Sequence, residues 1–368
     1  MVAAGERPRR SPPTSAPRRL TLHEYPQQPR FELGGTQVAR QRRNAPQPMT
    51  APRHPAVTVV IPCFNQAQFL PDAVASVRRQ SHAVVDCVVV NDGSSDGTAI
   101  VAKQLGVTLI QQLRRGVSEA RNTGLAAARS DFVVFLDADD ALLSDALAHG
   151  TAALQADLTA AAVVGRCRAM SAAGEALAVR HPDIDPSDLY NEWLSQNFVW
   201  TPGAAMFRRD ALLEIGGFPP RLGPAADYAV YLRLARDGRV RFIAQELVCY
   251  RQHDASMSTD PARMLRATLA VLRMERRDTP PPRRRIRRGR RQWCEFYGDQ
   301  ILQRLRMDWR SRRIGRWQLL ALMTLMQHCP RLMLRHAARK GRLVVSASRR
   351  RLMVPLLALM SRRSRVAP

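Results

Sequence analysis

Through the middle of the chain, apolar positions arrive as short unbroken runs. Val57–Ile61 (VTVVI), Val84–Val90 (VVDCVVV), Val107–Ile110 and Phe132–Leu136 (FVVFL) are dominated by β-branched and aromatic residues. Such runs predict strands buried on both faces. Between them the period changes. Phe69–Gln80 places Leu70, Val74 and Val77 at helical spacing, while Gly97–Leu105 and the Ala-rich Ser118–Arg129 also read as helices. The order β-α-β-α-β-α-β predicts an α/β fold, with parallel strands flanked by helices. Ligands of such sheets bind beyond the carboxyl ends of the strands. Chemistry is therefore expected in the loops after Ile61, Val90 and Leu136.

The pattern is lost toward both ends. Residues 1–54 show no apolar periodicity and hold nine prolines and ten arginines. They bury too little surface to offset the entropy of ordering, which predicts a disordered basic tail. Residues 55–262 form one domain, and residues 263–368 an Arg-rich, mainly helical region. There Ala262–Arg277 continues as a helix, Pro280–Pro282 interrupt it, and Arg283–Arg291 carries seven Arg. Trp293, Phe296, Tyr297, Ile301, Leu302 and Leu305 then follow at helical spacing.

Charge alters the picture only once it is localised. The 368-residue chain has a formal charge of +26, which suggests a nucleic-acid partner. The segments 1–54, 55–262 and 263–368 carry +7, −5 and +24. The middle domain is therefore mildly acidic. The C-terminal region fits either an anionic membrane surface, with Arg on headgroups and Trp, Leu and Met dipping in, or a helical subdomain with a solvated Arg face. Nucleic acid is disfavoured, because aromatics are not interleaved as stacking platforms. No run of about 18 apolar residues without charge exists to span a bilayer. Six scattered cysteines without a C-x-x-C pair read as small buried hydrophobes in a reducing compartment. The expected location is cytoplasmic, peripheral on the inner face of the plasma membrane.

Asp137, Asp139 and Asp140 directly follow a hydrophobic strand. Three carboxylates this close repel unless a cation or ordered donors offset them. Hard oxygen ligands suit Mg²⁺ or Mn²⁺, with substrate phosphate completing the shell. The alternative is an acidic turn with Asp as helix cap. Asp92 opens a Gly/Ser turn, where Asp96 is placed to cap the next helix. Gly116, Ala120 and Gly124 line one helical face; Arg121 lies beside it, either in the site or as a solvated helix residue.

The ordered set VTVVIPCFN, VVVNDGSSDGT, GVSEARNTGLAAARSDFVVFLDADD and IGGF…ADYAVYLRLARDG resembles family 2 glycosyltransferases over about residues 56–260. That resemblance implies an inverting, nucleotide-sugar-dependent enzyme of the GT-A fold. The fold is Rossmann-like, with a mixed, mainly parallel sheet flanked by helices. Pro62, Phe64 and Asn65 are implied to cradle base and ribose, and Asp92 to hydrogen-bond the base. Asp137 would lie near ribose and sugar, and Asp139 on a divalent metal, Mn²⁺ or Mg²⁺. Asp227 would be the general base, with Arg121 in the nucleotide-sugar site and Arg251 and His253 as auxiliaries. Asp227 as a helix cap and His253 as a structural hydrogen-bonding residue are the competing assignments.

The implied partners are a UDP-linked sugar donor and a saccharide or glycoconjugate acceptor, in cell-surface polysaccharide synthesis. Two departures fall in the acceptor half: Pro219-Pro220 after Gly-Gly-Phe, and Ala226 where Glu is common. They leave a second expectation, a catalytically lapsed homologue that tethers a partner through its basic C-terminal region.

Overall fold

A computed structural model describes residues 56–338 apart from 83–84, 279–280 and 313–314. The tail at 1–54 and the apolar stretch Leu352–Met360 lie outside the described residues. The first half alternates as its apolar runs require: β1 (Val57–Cys63), α1 (Leu70–Arg78), β2 (Val85–Asp92), α2 (Thr98–Gln104), β3 (Thr108–Gln112), α3 (Val117–Ala127) and β4 (Phe132–Phe135). Every residue of β1 and β4 is buried. β1 pairs in parallel with β2 on one side and β4 on the other, and β2 with β3. The chain thus winds outward from β1 through β2 to β3, then returns to β1's other side as β4. That reversal opens a crevice at the carboxyl ends of β1 and β4, where such sheets bind ligands.

The second half extends the sheet with mixed strand directions. Its elements are β5 (Ala141–Leu142), α4 (Ala146–Ala156), β6 (Ala162–Met170), β7 (Ala176–Leu177), α5 (Leu189–Ser195), β8 (Ala205–Arg208), α6 (Arg209–Glu214), α7 (Ala226–Arg236) and β9 (Val240–Arg251). The strand order is β3-β2-β1-β4-β8-β6-β9-β5, with β7 beside β6. β8 runs antiparallel to both β4 and β6, and β6 runs parallel to β9. Phe135, Phe207 and Phe218 meet edge-on in the core, with Phe135 and Phe218 centroids 4.7 Å apart. All six cysteines are free and four are buried, as small hydrophobes.

Three helices follow: α8 (Pro261–Asp278), α9 (Arg283–Arg310) and α10 (Arg316–His328). α8 and α9 pack back on the α/β domain, and α10 packs on those two helices. The backbones of α9 and α5 nearly touch, since a Cβ at Gly289 would lie 2.0 Å from the Leu194 carbonyl oxygen. Trp293, one turn on, sets its edge against Tyr228 of α7 at 5.6 Å.

The small-residue face of α3 has a similar origin. Gly116, at φ +94°, precedes the helix, while a Cβ at Gly124 would lie 2.2 Å from a Val60 methyl. Gly124→Val forces α3 off β1 and is expected to destabilise the protein by about 1–3 kcal/mol, as overpacked cores do. A lower urea midpoint with unchanged slope checks this.

Candidate functional site

The crevice at the β1/β4 reversal holds a cavity of about 310 Å³. Five stretches of chain bring the residues expected from sequence to it. Pro62 and Phe64 come from the end of β1 and its following loop, Asp92 from the end of β2, and Arg121 from α3. Asp137 and Asp139 follow β4, and Asp227 lies in the first turn of α7. Positions nearly 170 residues apart in sequence thus share one chamber.

Each carboxylate has its own counterpart. Asp137 accepts a 2.7 Å bond from Arg121 Nη2. Arg121 is only 3 % exposed, so the solvated-helix alternative fails for it. Burial opposes its charge, but Asp137 and Asp227 more than offset that, and the guanidinium pKa is raised. Asp227 is buried, and burial pushes its carboxyl above the usual range although Arg121 and the Tyr228 N–H oppose the shift. Its Oδ1 accepts from Tyr228 N at 2.8 Å. The residue before α7 is Ala225, so Asp227 is not the helix cap.

Asp139 Oδ2 lies 2.9 Å from His253 Nε2. Burial raises its pKa, Asp137 adds to the rise, and His253 opposes it. Asp140 is turned into the core, where it accepts from Thr201 Oγ1 at 2.6 Å and Arg251 N at 2.9 Å. Asp96 accepts from the N–H groups of Thr98 and Ala67 and so closes the start of α2.

Other expected site residues serve the walls. Asn65, at φ 53°, turns its side chain to the neighbouring loop, where Oδ1 accepts from Ser95 N at 2.9 Å. Arg251 donates to the Asp139 and Ala172 carbonyls and to Asp72, and stacks on Phe69 at 5.1 Å. His253 packs on the same Phe69 ring at 4.9 Å. None of Asn65, Arg251 and His253 lines this cavity.

Asp92 does line it, with most of its acceptor capacity already used. Oδ1 accepts from Gln112 Nε2 and Arg115 N, and Oδ2 from Gly116 N, all within 2.8 Å. A carboxylate has about four acceptor positions, so one on Oδ2 is left for a ligand. Arg114 and Trp200 also line the cavity, without any signal in the sequence, and so does Tyr250 of the Tyr-Arg-Gln-His stretch. Arg114 covers the Phe64 ring at 3.9 Å, and its position in a loop after β3 gave no local signal.

Residues 58–216 match the glycosyl transferase family 2 model. That segment is similar to family 2 glycosyltransferase domains. It is 25% identical to the uncharacterized glycosyltransferase EpsJ of Bacillus subtilis, over 56% of this chain and 64% of that one. It is 35% identical to the GalNAc(5)-diNAcBac-PP-undecaprenol beta-1,3-glucosyltransferase of Campylobacter jejuni, over 31% of this chain and 38% of the other. The matched stretch thus spans less than two thirds of either relative. The structure of S. aureus TarS 1–349 superposes with a TM-score of 0.50 at 16% identity, covering 66% of this chain and 72% of that one, which establishes the GT-A fold.

Among the described residues, no three His, Cys, Asp or Glu side chains converge as a metal cluster. The turn after β4 instead offers Asp139, with His253 beside it. Mg²⁺ and Mn²⁺ sites with one or two protein ligands, completed by substrate phosphate and water, need no more than this.

Arg251 ties β9 to the turn after β4 and to α1. Arg251→Gln removes those donors and is expected to cost about 2–3 kcal/mol, read as a lowered urea midpoint.

Proposed function

We propose that the protein transfers a sugar, with inversion, from a nucleoside diphosphate sugar to a hydroxyl of a saccharide or glycoconjugate acceptor in cell-surface polysaccharide assembly. One observation carries this reading. Asp227 shares a cavity with Asp92, Asp137 and Asp139, and Arg121 acts on both Asp137 and Asp227. The donor is a UDP-sugar. Its base lies near Phe64 and Asp92, where the remaining Oδ2 position accepts a base N–H. Asp137 meets the ribose and sugar. The name of the C. jejuni relative supports a glycoconjugate acceptor.

Tyr228 N occupies Asp227 Oδ1, so Oδ2 takes the acceptor proton. The acceptor oxygen bonds to the anomeric carbon as the carbon–oxygen bond to the diphosphate breaks on the opposite face. Anomeric configuration inverts, Asp227 holds the proton, and the nucleoside diphosphate leaves. A raised pKa makes Asp227 a better base than an exposed carboxylate. Asp139, with His253, would hold Mn²⁺ or Mg²⁺, which when bound neutralises charge developing on the leaving diphosphate.

The same reading places the protein on the inner face of the plasma membrane. Among the described residues no helix is long and apolar enough to cross a bilayer. α10 nevertheless presents Leu319, Leu320, Met323 and Met326 at 53–61 % exposure. Trp309 and Leu334 are also exposed, and Arg310, Arg312, Arg316 and Arg331 lie exposed nearby. Apolar side chains among cations suit an anionic lipid surface.

Asp227→Asn is expected to retain UDP-sugar binding and lose about 10²–10⁴-fold in transfer rate, the usual contribution of a general base. Nucleoside diphosphate release in Mn²⁺ with UDP-, GDP- and dTDP-sugars measures it. Silence with every donor, without thermal stabilisation by any, points instead to a lapsed homologue. Because Asp227 must be ionised to act, the wild-type rate falls as pH drops through its folded pKa. That acid limb is expected above the ordinary carboxylate range. In a separate test, the protein sediments with phosphatidylglycerol vesicles at low salt, and a Leu320→Asp, Met323→Asp double variant stays in the supernatant. Wild-type protein remaining in solution rules out this membrane surface.

A further inference from the structure

A second cavity, about 970 Å³ in volume, adjoins the first and shares Trp200, Tyr250, Ser256, Ser258 and Met264 with it. One wall is α9, which lies beyond the family-matched segment. Gln292, Phe296 and Gln300 recur every four residues along this wall, so they form one helical face. Across from them, His181 stacks on Trp200 at 5.4 Å. The wall is firmly placed by the approach of Gly289 to Leu194 and by Trp293 against Tyr228, next in sequence to Asp227.

The lining chemistry selects among ligands. Two buried oxygens at this cavity, Ser256 Oγ and Gln292 Oε1, have no hydrogen-bond partner in the protein. Buried polar atoms are rarely left that way, and both accept bonds from ligand hydroxyls. Arg180 and Asp183 oppose each other in charge, so the lining does not favour a second polyanion. Few aliphatic side chains are present to hold a lipid tail. Aromatic faces with neutral amides and hydroxyls match pyranose rings, which have one apolar face and a polar edge.

We propose that this cleft is the acceptor site and that α9 determines acceptor choice. It takes a neutral saccharide of two or more rings, with a ring against Phe296 and hydroxyls on Gln292, Gln300 and Ser256. The terminal hydroxyl reaches Asp227 through the mouth shared with the first cavity. This inference rests on the transferase reading above, and its test separates the two.

Full-length protein is titrated with chitotetraose, cellotetraose, maltotetraose and mannotetraose, following tryptophan fluorescence, since Trp200 and Trp293 line the cleft. At least one tetrasaccharide is expected to change the emission saturably. Phe296 is 57 % exposed, so Phe296→Ala leaves the fold intact. It should weaken that binding about tenfold, while Phe296→Trp retains it. Gln292→Ala and Gln300→Ala should each weaken it severalfold. UDP affinity in Mn²⁺ should stay within twofold of wild type in all four variants. Absence of binding by all four tetrasaccharides, or undiminished binding in the Phe296 and Gln292 truncations, overturns the proposal. If the wild-type protein binds a tetrasaccharide but no nucleotide or nucleotide sugar, the donor reading fails instead and the cleft stands as a saccharide site.

Discussion

The carboxyl edge of the sheet depends on one buried guanidinium. Four aspartates, Asp92, Asp137, Asp139 and Asp227, face a single small chamber, and such crowding is unfavourable without a counter-charge. Arg121 supplies it from α3. It binds Asp137 at 2.7 Å and opposes the rise in the Asp227 pKa. One cation thus couples the strand that would face the donor to the helix that would deprotonate the acceptor. Its Nε has no partner in the protein, so its donors are not exhausted by those two acids. Removing Arg121 would leave Asp137 without its ion pair and push Asp227 further toward its neutral form.

A second arginine does comparable work on the outside of the same turn. Arg251 fixes the Asp139 carbonyl, the Ala172 carbonyl and Asp72, while its own N–H holds Asp140. The two arginines divide the labour: Arg121 balances charge inside the chamber and Arg251 holds the loop geometry that aims Asp139 inward. This division explains how Asp137, Asp139 and Asp140, within four residues, reach different fates. Asp137 is ion-paired, Asp139 is presented beside His253, and Asp140 is buried as a strut.

The parts legible in sequence were those encoded locally. The runs at β1, β2 and β4 are continuous and β-branched, so their ends, and hence the acidic loops, could be placed without coordinates. Asp92, Asp137, Asp139 and Asp227 lie where strand or helix termini put them. The roles of Arg251 and Asn65 were not legible, because their partners are 79–179 and 29–30 residues away. The antiparallel β8 is not legible for a related reason: Ala205–Arg208 is four residues long and shows no period of its own. Gly289 sits within an Arg run and reads as a weak point in a helix; only the Leu194 carbonyl at its side reveals a docking position.

Docking at Gly289 gives the basic C-terminal region a structural role. As composition, it was a charge in search of a partner. As structure, its helices show two different chemistries. The inward face of α9 carries aromatics and amides and adjoins the cavity of Asp227, whereas the exposed side of α10 carries Leu and Met among arginines. Inward and outward faces at 3.6-residue period allow one Arg-rich segment to complete a polar cleft and present an apolar surface simultaneously. The family-matched segment ends at residue 216, before both Asp227 and α9. The Asp227 side of the chamber is therefore built by sequence outside that segment, where Pro219-Pro220 and Ala226 also lie. On the proposed reading, a donor half inside that segment and an acceptor half outside it would let the same displacement chemistry serve different acceptors, with no change to the carboxylates at the end of β4.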